Sequence, residues 1–230
     1  MRVALNRAAT LAPAATRSCA ERVGGADIIA PMPAPDATAD EQLMRAYAAG
    51  DAGAFEVLYD RHATRLGRFV LRCCGDAAAA DELTQEVWLA VAQQAPRYAP
   101  RASAPDRPPA RFTCWLFTIA HHRVVDHLRA TRSRGAHASL DAETAPLIDT
   151  LAAPSGSVTV RRIETRQQAA QLMAAIAALP PEQREAFLLQ AEAGLAVHDI
   201  ASSTGVPFET AKSRLRHARA ALRRRLEGIA

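Results

Sequence analysis

Three features predict an all-α chain. Alanine is abundant and strand-like alternation is hard to find. Apolar residues return at three- and four-residue steps in one segment after another, and glycine or proline stands at the breaks between those segments. At 230 residues the chain has room for one or two domains. The reading is two small helical domains joined by a flexible linker: a disordered extension over 1–36, a front domain over 37–132, a linker over 133–159 and a rear domain over 160–230.

The extension is rich in Ala, Pro and scattered Arg and lacks the compact apolar centre of a secretory signal. Its Arg-rich, acid-poor character leaves an organellar transit peptide as a minor alternative, and Met32 is a second candidate start. A first helix is expected over Glu41 to Ala49, carrying Leu43, Met44 and Tyr47, with Gly50-Asp51 breaking it and capping the next. The second, Ala52 to Cys74, aligns Phe55, Leu58, Tyr59, His62, Leu66, Phe69 and Val70 on one face and ends at Gly75-Asp76. The third, Ala77 to Gln94, carries Leu83, Val87, Trp88 and Val91. Pro96 to Pro109 reads as a proline-rich loop, and Arg111 to Arg132 as a fourth helix with Phe112, Trp115, Leu116, Ile119, Val124 and Leu128.

Gly135, Pro146, Pro154 and Gly156 mark the linker. Behind it a helix is expected over Val160 to Ala178. Leu179-Pro180-Pro181-Glu182 then marks a sharp restart, and the next helix carries Phe187, Leu188 and Ala191 and stops at Gly194. The last segment is the most telling. A short helix over Val197 to Ser203, a turn at Gly205 and a long basic helix after Pro207 form a helix-turn-helix, whose second helix enters a DNA major groove. In that second helix Phe208, Ala211, Leu215, Ala218, Leu222 and Leu226 make an apolar stripe, flanked by Lys212, Arg216, Arg219 and Arg223. Glu209 is the only acid between Phe208 and Leu226, so the flank suits phosphate far better than an ordinary solvated face does.

The formal net charge of +4 permits nucleic-acid binding without requiring it. The distribution is more informative: acids crowd between Asp40 and Glu86, bases toward Arg132 and Arg225. Cys19, Cys73, Cys74 and Cys114 have no metal-ligand spacing and read as thiols of a reducing compartment. No apolar run is long enough to span a membrane. There is no phosphate loop, HExxH or GxSxG, and His122 with Asp126 offers only two groups to a metal, so neither enzyme, metal site nor cofactor is expected.

Three motifs together resemble the bacterial sigma-70 family of RNA polymerase sigma factors, in its small extracytoplasmic-function (ECF) branch. They are Asp51-Ala-Gly-Ala-Phe-Glu-Val-Leu-Tyr-Asp60 followed by Asp81-Glu-Leu-Thr-Gln-Glu-Val-Trp88; Phe112-Thr-Cys-Trp-Leu-Phe-Thr-Ile-Ala120 leading to Asp126-His-Leu-Arg129; and Leu179-Pro-Pro-Glu-Gln-Arg-Glu-Ala-Phe-Leu-Leu189 with the helix-turn-helix. The resemblance covers roughly Asp40 to Leu226. It implies that the front domain (region 2) binds the clamp helices of core polymerase and recognises the −10 promoter element. The rear domain (region 4) then docks on the flap and reads the −35 element. It also implies a bacterial cytoplasmic protein that directs polymerase to promoters, helps melt them and, in many relatives, is held by an anti-sigma factor.

Residue by residue, the resemblance assigns Asp81, Gln85, Glu86 and Trp88 to core polymerase. It assigns Phe112, Trp115, His121, His122, Arg123 and Arg129 to the melted −10 strand, where aromatic platforms and cations hold unstacked bases. Phe112 and Trp115 have helical spacing and read first as core, so the expected contact with the unpaired strand is the polar side, His121, His122 and Arg123, with the preceding loop. Thr210, Lys212, Ser213, Arg214, Arg216, His217 and Arg219 fall on the −35-reading helix. The chain departs from the family at His121-His122, where Arg-Asn is common, and at Arg216-His217, where His-Arg is typical. The competing reading is a stand-alone helix-turn-helix regulator. It accounts for the rear domain but not for the front aromatic helix.

Overall fold

The computed structural model describes residues 39–98, 111–137 and 160–227, which hold eight α-helices, one short 3-10 turn and no strand. The front four are α1 (Asp40–Ala48), α2 (Ala52–Cys74), α3 (Ala77–Gln94) and α4 (Phe112–His137). The rear four are α5 (Val160–Ala177), α6 (Pro181–Ala193), α7 (Val197–Thr204) and α8 (Phe208–Glu227). The extension over 1–36 and most of the linker lie outside the described residues. Pro96, read as loop, sits in the 3-10 turn Ala95–Arg97, and α4 runs past the expected end at Arg132 to His137.

Local chemistry sets the helix ends. Asp51 starts α2 by accepting from the backbone N–H of Gly53 (3.0 Å) and Ala54 (3.4 Å), and Asp76 starts α3 by accepting from Ala79 (2.7 Å). Gly75 closes α2 in the left-handed region at φ 77°, a conformation that costs any residue with a Cβ.

In the front bundle α2 is central, with α1, α3 and α4 against it. Met44, Leu58, Leu66, Phe69, Val87, Val91, Phe112, Leu116 and Phe117 are buried, each burial contributing about 1.5–3 kcal/mol. The first turn of α1 clips this bundle at two places. Asp40 meets Arg61 at 2.9 Å and His62 Nε2 at 2.8 Å, and Glu41 accepts the backbone N–H of Phe112 at 2.9 Å, satisfying a donor at the start of α4. The rear half closes over Leu188, Leu189, Ile200, Ala211, Leu215, Ala218 and Leu222. Glu192 is buried in α6 and Ala191, expected on its apolar face, is exposed.

Front and rear halves are not held apart. α2 packs on α6, α4 packs on α6 and α7, and the buried apolar cluster runs through both halves without a break. The sequence reading of two bodies on a tether contains no such docking. The docking combines that apolar contact with polar pairs that helical periodicity does not predict.

Burial pushes the Asp40 carboxyl up, but the hydrogen bonds and charges of His62 and Arg61 outweigh it and hold the group below the ordinary carboxylate value. Ionised Asp40 therefore stabilises the fold above the unfolded carboxylate value near pH 4, and this contribution is lost as pH falls through the lowered folded value. Asp40→Asn is expected to lower stability at pH 7 by about 1 kcal/mol. It is also expected to flatten the acid loss below pH 4, as read from denaturant melts across pH.

Candidate nucleic-acid interface

The helix-turn-helix is built by a short turn. α7 ends at Gly205, φ 67°, and the Val206 N–H reaches back to the Ala201 carbonyl at 3.1 Å, a closure that satisfies a terminal acceptor. The Pro207 carbonyl then accepts from Thr210 and Ala211 and opens α8. Ile200 is fully buried, and small Ala201, at 7% exposure, lets the two helices cross closely. Phe208 is only half-buried; its ring stacks on His198 at 4.1 Å and Lys212 Nζ stands 5.8 Å from its centre.

Ala211, Leu215, Ala218 and Leu222 turn inward, leaving Lys212, Arg216, His217, Arg219, Arg223 and Arg224 exposed, while Thr210, Ser213 and Arg214 lie at the half-buried margin. Two of the cations are partly engaged. Lys212 meets Glu209 at 3.4 Å, an exposed pair of small worth, and Arg219 donates to the Gln190 side chain. Arg216 makes no ion pair among the described residues. Arg225, also exposed, donates to the Ala175 carbonyl at 3.1 Å and so ties α8 to α5.

The front half divides its assigned residues differently. His122, Arg123 and Arg129 lie on the exposed side of α4; Arg123 faces Glu86 of α3 at 3.6 Å and Arg129 faces Asp126 at 3.8 Å. Trp115 is half-buried, its ring centre 4.9 Å from that of Tyr98 and 5.9 Å from that of Phe112. Phe112, with no exposure, is a core residue, because its ring closes the bundle against His62 and Tyr98. Trp88 is likewise core, at 6% exposure under Phe55 and Tyr59, so the surface it was assigned to consists of Asp81, Gln85 and Glu86 with exposed Leu89 beside them.

His121 is buried. Its Nδ1 bonds to Glu185 of α6, and its ring lies 5.2 Å from His122. The sequence reading missed the partners here altogether. Arg68 Nε pairs with Glu192 at 3.0 Å, Arg72 pairs with the other oxygen of the same carboxylate, and Thr118 Oγ1 lies 2.7 Å from Ser203 Oγ. A charged residue inside an apolar helical face was the available signal, at both Arg68 and Glu192.

Among the described residues no group of His, Cys, Asp and Glu could hold a metal, and no helix is long and apolar enough to cross a membrane. Burial pushes the Cys73 thiol well above its ordinary value, and raises those of Cys74 and Cys114, which makes all three poor nucleophiles.

Comparison with known proteins agrees with this geometry. The sigma-70 region 2 family matches residues 58–134 and the sigma-70 region 4 family matches residues 169–222. The chain is 32% identical over 182 residues to the ECF RNA polymerase sigma factor SigL of Mycobacterium tuberculosis, covering 79% of this chain and 94% of that protein. It is 34% identical over 189 residues to SigC of the same species, covering 82% and 92%. In fold it is similar to CnrH, solved in complex with the cytosolic domain of CnrY (TM-score 0.55, 21% identity, 84% of this chain and 100% of that one). It is also similar to the sigma factor RpoE of Bartonella quintana, solved with the anti-sigma factor NepR (TM-score 0.52, 23% identity, 70% and 89%). The chain belongs to the sigma-70 family, and within it to the extracytoplasmic-function branch of RNA polymerase sigma factors.

Arg216→Ala is expected to weaken promoter binding by about 1–3 kcal/mol while leaving the melting temperature unchanged. Arg225→Ala should do the reverse, lowering the melting temperature with little direct effect on DNA affinity. Fluorescence anisotropy on promoter DNA with polymerase present, beside thermal melts, separates the two.

Proposed function

We propose that this sigma factor reads the −35 element with α8 and the −10 element with the polar side of α4, and that it holds core polymerase through α3. The observation that carries the reading is the acid-poor, exposed cationic side of α8, presented at a fixed angle by the Gly205 turn. Arginine and lysine there suit guanine edges and phosphates. Lys212, Ser213, Arg214, Arg216, His217 and Arg219, with Thr210 at the helix start, form the reading set. On α4, His122, Arg123 and Arg129 supply cations to the unpaired strand, with the half-buried Trp115 ring as a stacking surface. His121 joins them when α6 moves away. Asp81, Gln85 and Glu86 face the basic partner helices of the polymerase clamp.

The proposed division of labour is residues 37–132 for region 2, 133–159 for the connection and 160–230 for region 4, with 1–36 as an extension. The protein makes no bonds of its own. It works in the bacterial cytoplasm by positioning polymerase and by stabilising melted DNA. An anti-sigma factor is a fitting partner, since the fold relative RpoE was solved in complex with the anti-sigma factor NepR.

Run-off transcription with core polymerase on a genomic promoter library tests this reading. Addition of the chain is expected to create start sites that core polymerase alone does not use. Tight, dimeric binding to promoter DNA without polymerase, and no redirected start sites, would favour the stand-alone regulator instead.

A further inference from the structure

The row of cations along α8 is headed by an aromatic ring. At 3.6 residues per turn, Lys212, Arg216, Arg219 and Arg223 all lie within about 80° of Phe208 around the helix. Phe208 is the first residue of α8 and stands where this row meets the apolar stripe of Ala211, Leu215, Ala218 and Leu222. The rear core does not take its ring, which stays half-buried and outside the buried apolar cluster. The ring is used by His198 instead, an exposed residue in the first turn of α7. The two rings stack at 4.1 Å with an interplanar angle of 27°. Lys212 Nζ, one turn further along α8, stands 5.8 Å from the centre of the Phe208 ring.

The surroundings suit a cation at this spot. An aromatic face attracts positive charge through its quadrupole. Lys212 donates to both carboxylate oxygens of Glu209, at 3.4 and 3.5 Å, so His198 faces a paired lysine and not a bare one. The other charged groups on elements packed against α7 are turned elsewhere. Asp199 faces the Cys114 thiol of α4, Glu185 of α6 bonds to His121, and Glu192 of α6 is held by Arg68 and Arg72. The histidines paired with a carboxylate are His62 and His121, so among the described residues no acid of the protein itself claims His198.

We propose that His198 is a further DNA-binding residue, added by α7 to the cationic row of α8: as imidazolium it holds a phosphate beside the −35 element, and Phe208 positions it. The inference rests on the −35 reading by α8 and deepens it with one contact from outside the recognition helix. In a helix-turn-helix the second helix lies in the major groove while the first crosses the backbone. The member of the row that stands on α7 therefore meets phosphate oxygen and not a base edge. Such a contact fixes register and carries no sequence information of its own. An imidazole changes charge close to neutrality. Its hold on phosphate is present on the acid side and fades as the ring loses its proton, so promoter affinity falls as pH rises.

Holoenzyme made from core polymerase and the full chain tests the contact, by fluorescence anisotropy on a promoter that run-off transcription identifies. At about pH 6, His198→Gln is expected to weaken binding roughly threefold or more and to reduce the slope of log affinity against log salt by about 1, as the loss of one phosphate contact does. At about pH 8.5 the variant and the unsubstituted chain should bind alike. His198→Arg, a cation at both pH values, should keep the tight binding throughout. The loss should be equal on promoters with altered −35 base pairs. Comparison of each variant with the unsubstituted chain at the same pH removes the titration of His121, His122, His217 and the polymerase's own histidines.

Phe208→Leu keeps an apolar side chain at the start of α8 and removes the stacking surface. It is expected to lower the salt slope on the acid side as His198→Gln does, because an unsupported imidazole no longer meets phosphate at one fixed place. A holoenzyme that binds and transcribes with His198→Gln as it does without it, at the same salt slope on the acid side, would overturn the proposal. So would a loss that is equal at both pH values with an unchanged slope, since that is what a packing role produces. Failure of the unsubstituted holoenzyme to bind promoters at either pH is distinguishable, because it needs no substitution to be seen; it defeats the −35 reading itself and this contact with it.

Discussion

One buried carboxylate meets two arginines across the boundary between the two halves of this protein. Glu192 projects from the helix that also supplies Leu188 and Leu189 to the rear core, and it meets two guanidinium groups on the central helix of the front bundle. Taking a charge out of water costs several kcal/mol, which mutual attraction repays only with good geometry and full hydrogen bonding. Two oxygens facing two arginines meet that demand. When the halves part, all three groups return to water and recover their hydration. The cluster therefore specifies one relative placement more than it adds to stability, and so suits a contact that has to be broken in use. Burial lowers the Arg72 guanidinium from its ordinary value, Glu192 works against that fall and Arg68 adds to it.

The same distinction between buried and exposed charge orders α8. Its apolar stripe is consumed by the rear core, so its position is set by packing and not by DNA. The cations left over have no acids to neutralise them apart from Glu209 and the end-residue Glu227. Arg225 shows that a base on this helix is not automatically a DNA contact, since it is turned back to a carbonyl of α5. Which side chains remain available to DNA is thus decided by which ones the core has already claimed. On α4 the core claims Phe112 and the interface claims His121, leaving His122, Arg123 and Arg129 outside.

Most of the helical plan was legible before any coordinates. Asp51 and Asp76 announce helix starts, and Gly75, Gly194 and Gly205 announce ends, because those roles depend on local backbone chemistry within a few residues. The apolar stripe of α8 was legible for the same reason. Where local signals conflict the reading slipped: Pro96 enters a 3-10 turn, and α4 continues past Ser133 because no strong breaker stands before Gly135. The docking was not legible at all. Arg68 and Glu192 lie 124 residues apart, and His121 and Glu185 lie 64 apart, so no periodicity relates them. At Phe112 and Trp88 a family role competes with burial, and both rings lie inside the bundle, as helical spacing already suggests for Phe112.

Front and rear halves form one closed body and have to part to reach two promoter elements at once. The distance between spin labels placed at exposed Arg132 on α4 and Glu227 on α8 measures this directly. Free protein should give one distance, within the roughly 45 Å breadth of a closed body of this chain length. Addition of core polymerase and promoter DNA should lengthen it by tens of ångströms. A distance that is the same in both conditions, with transcription running, would contradict the account.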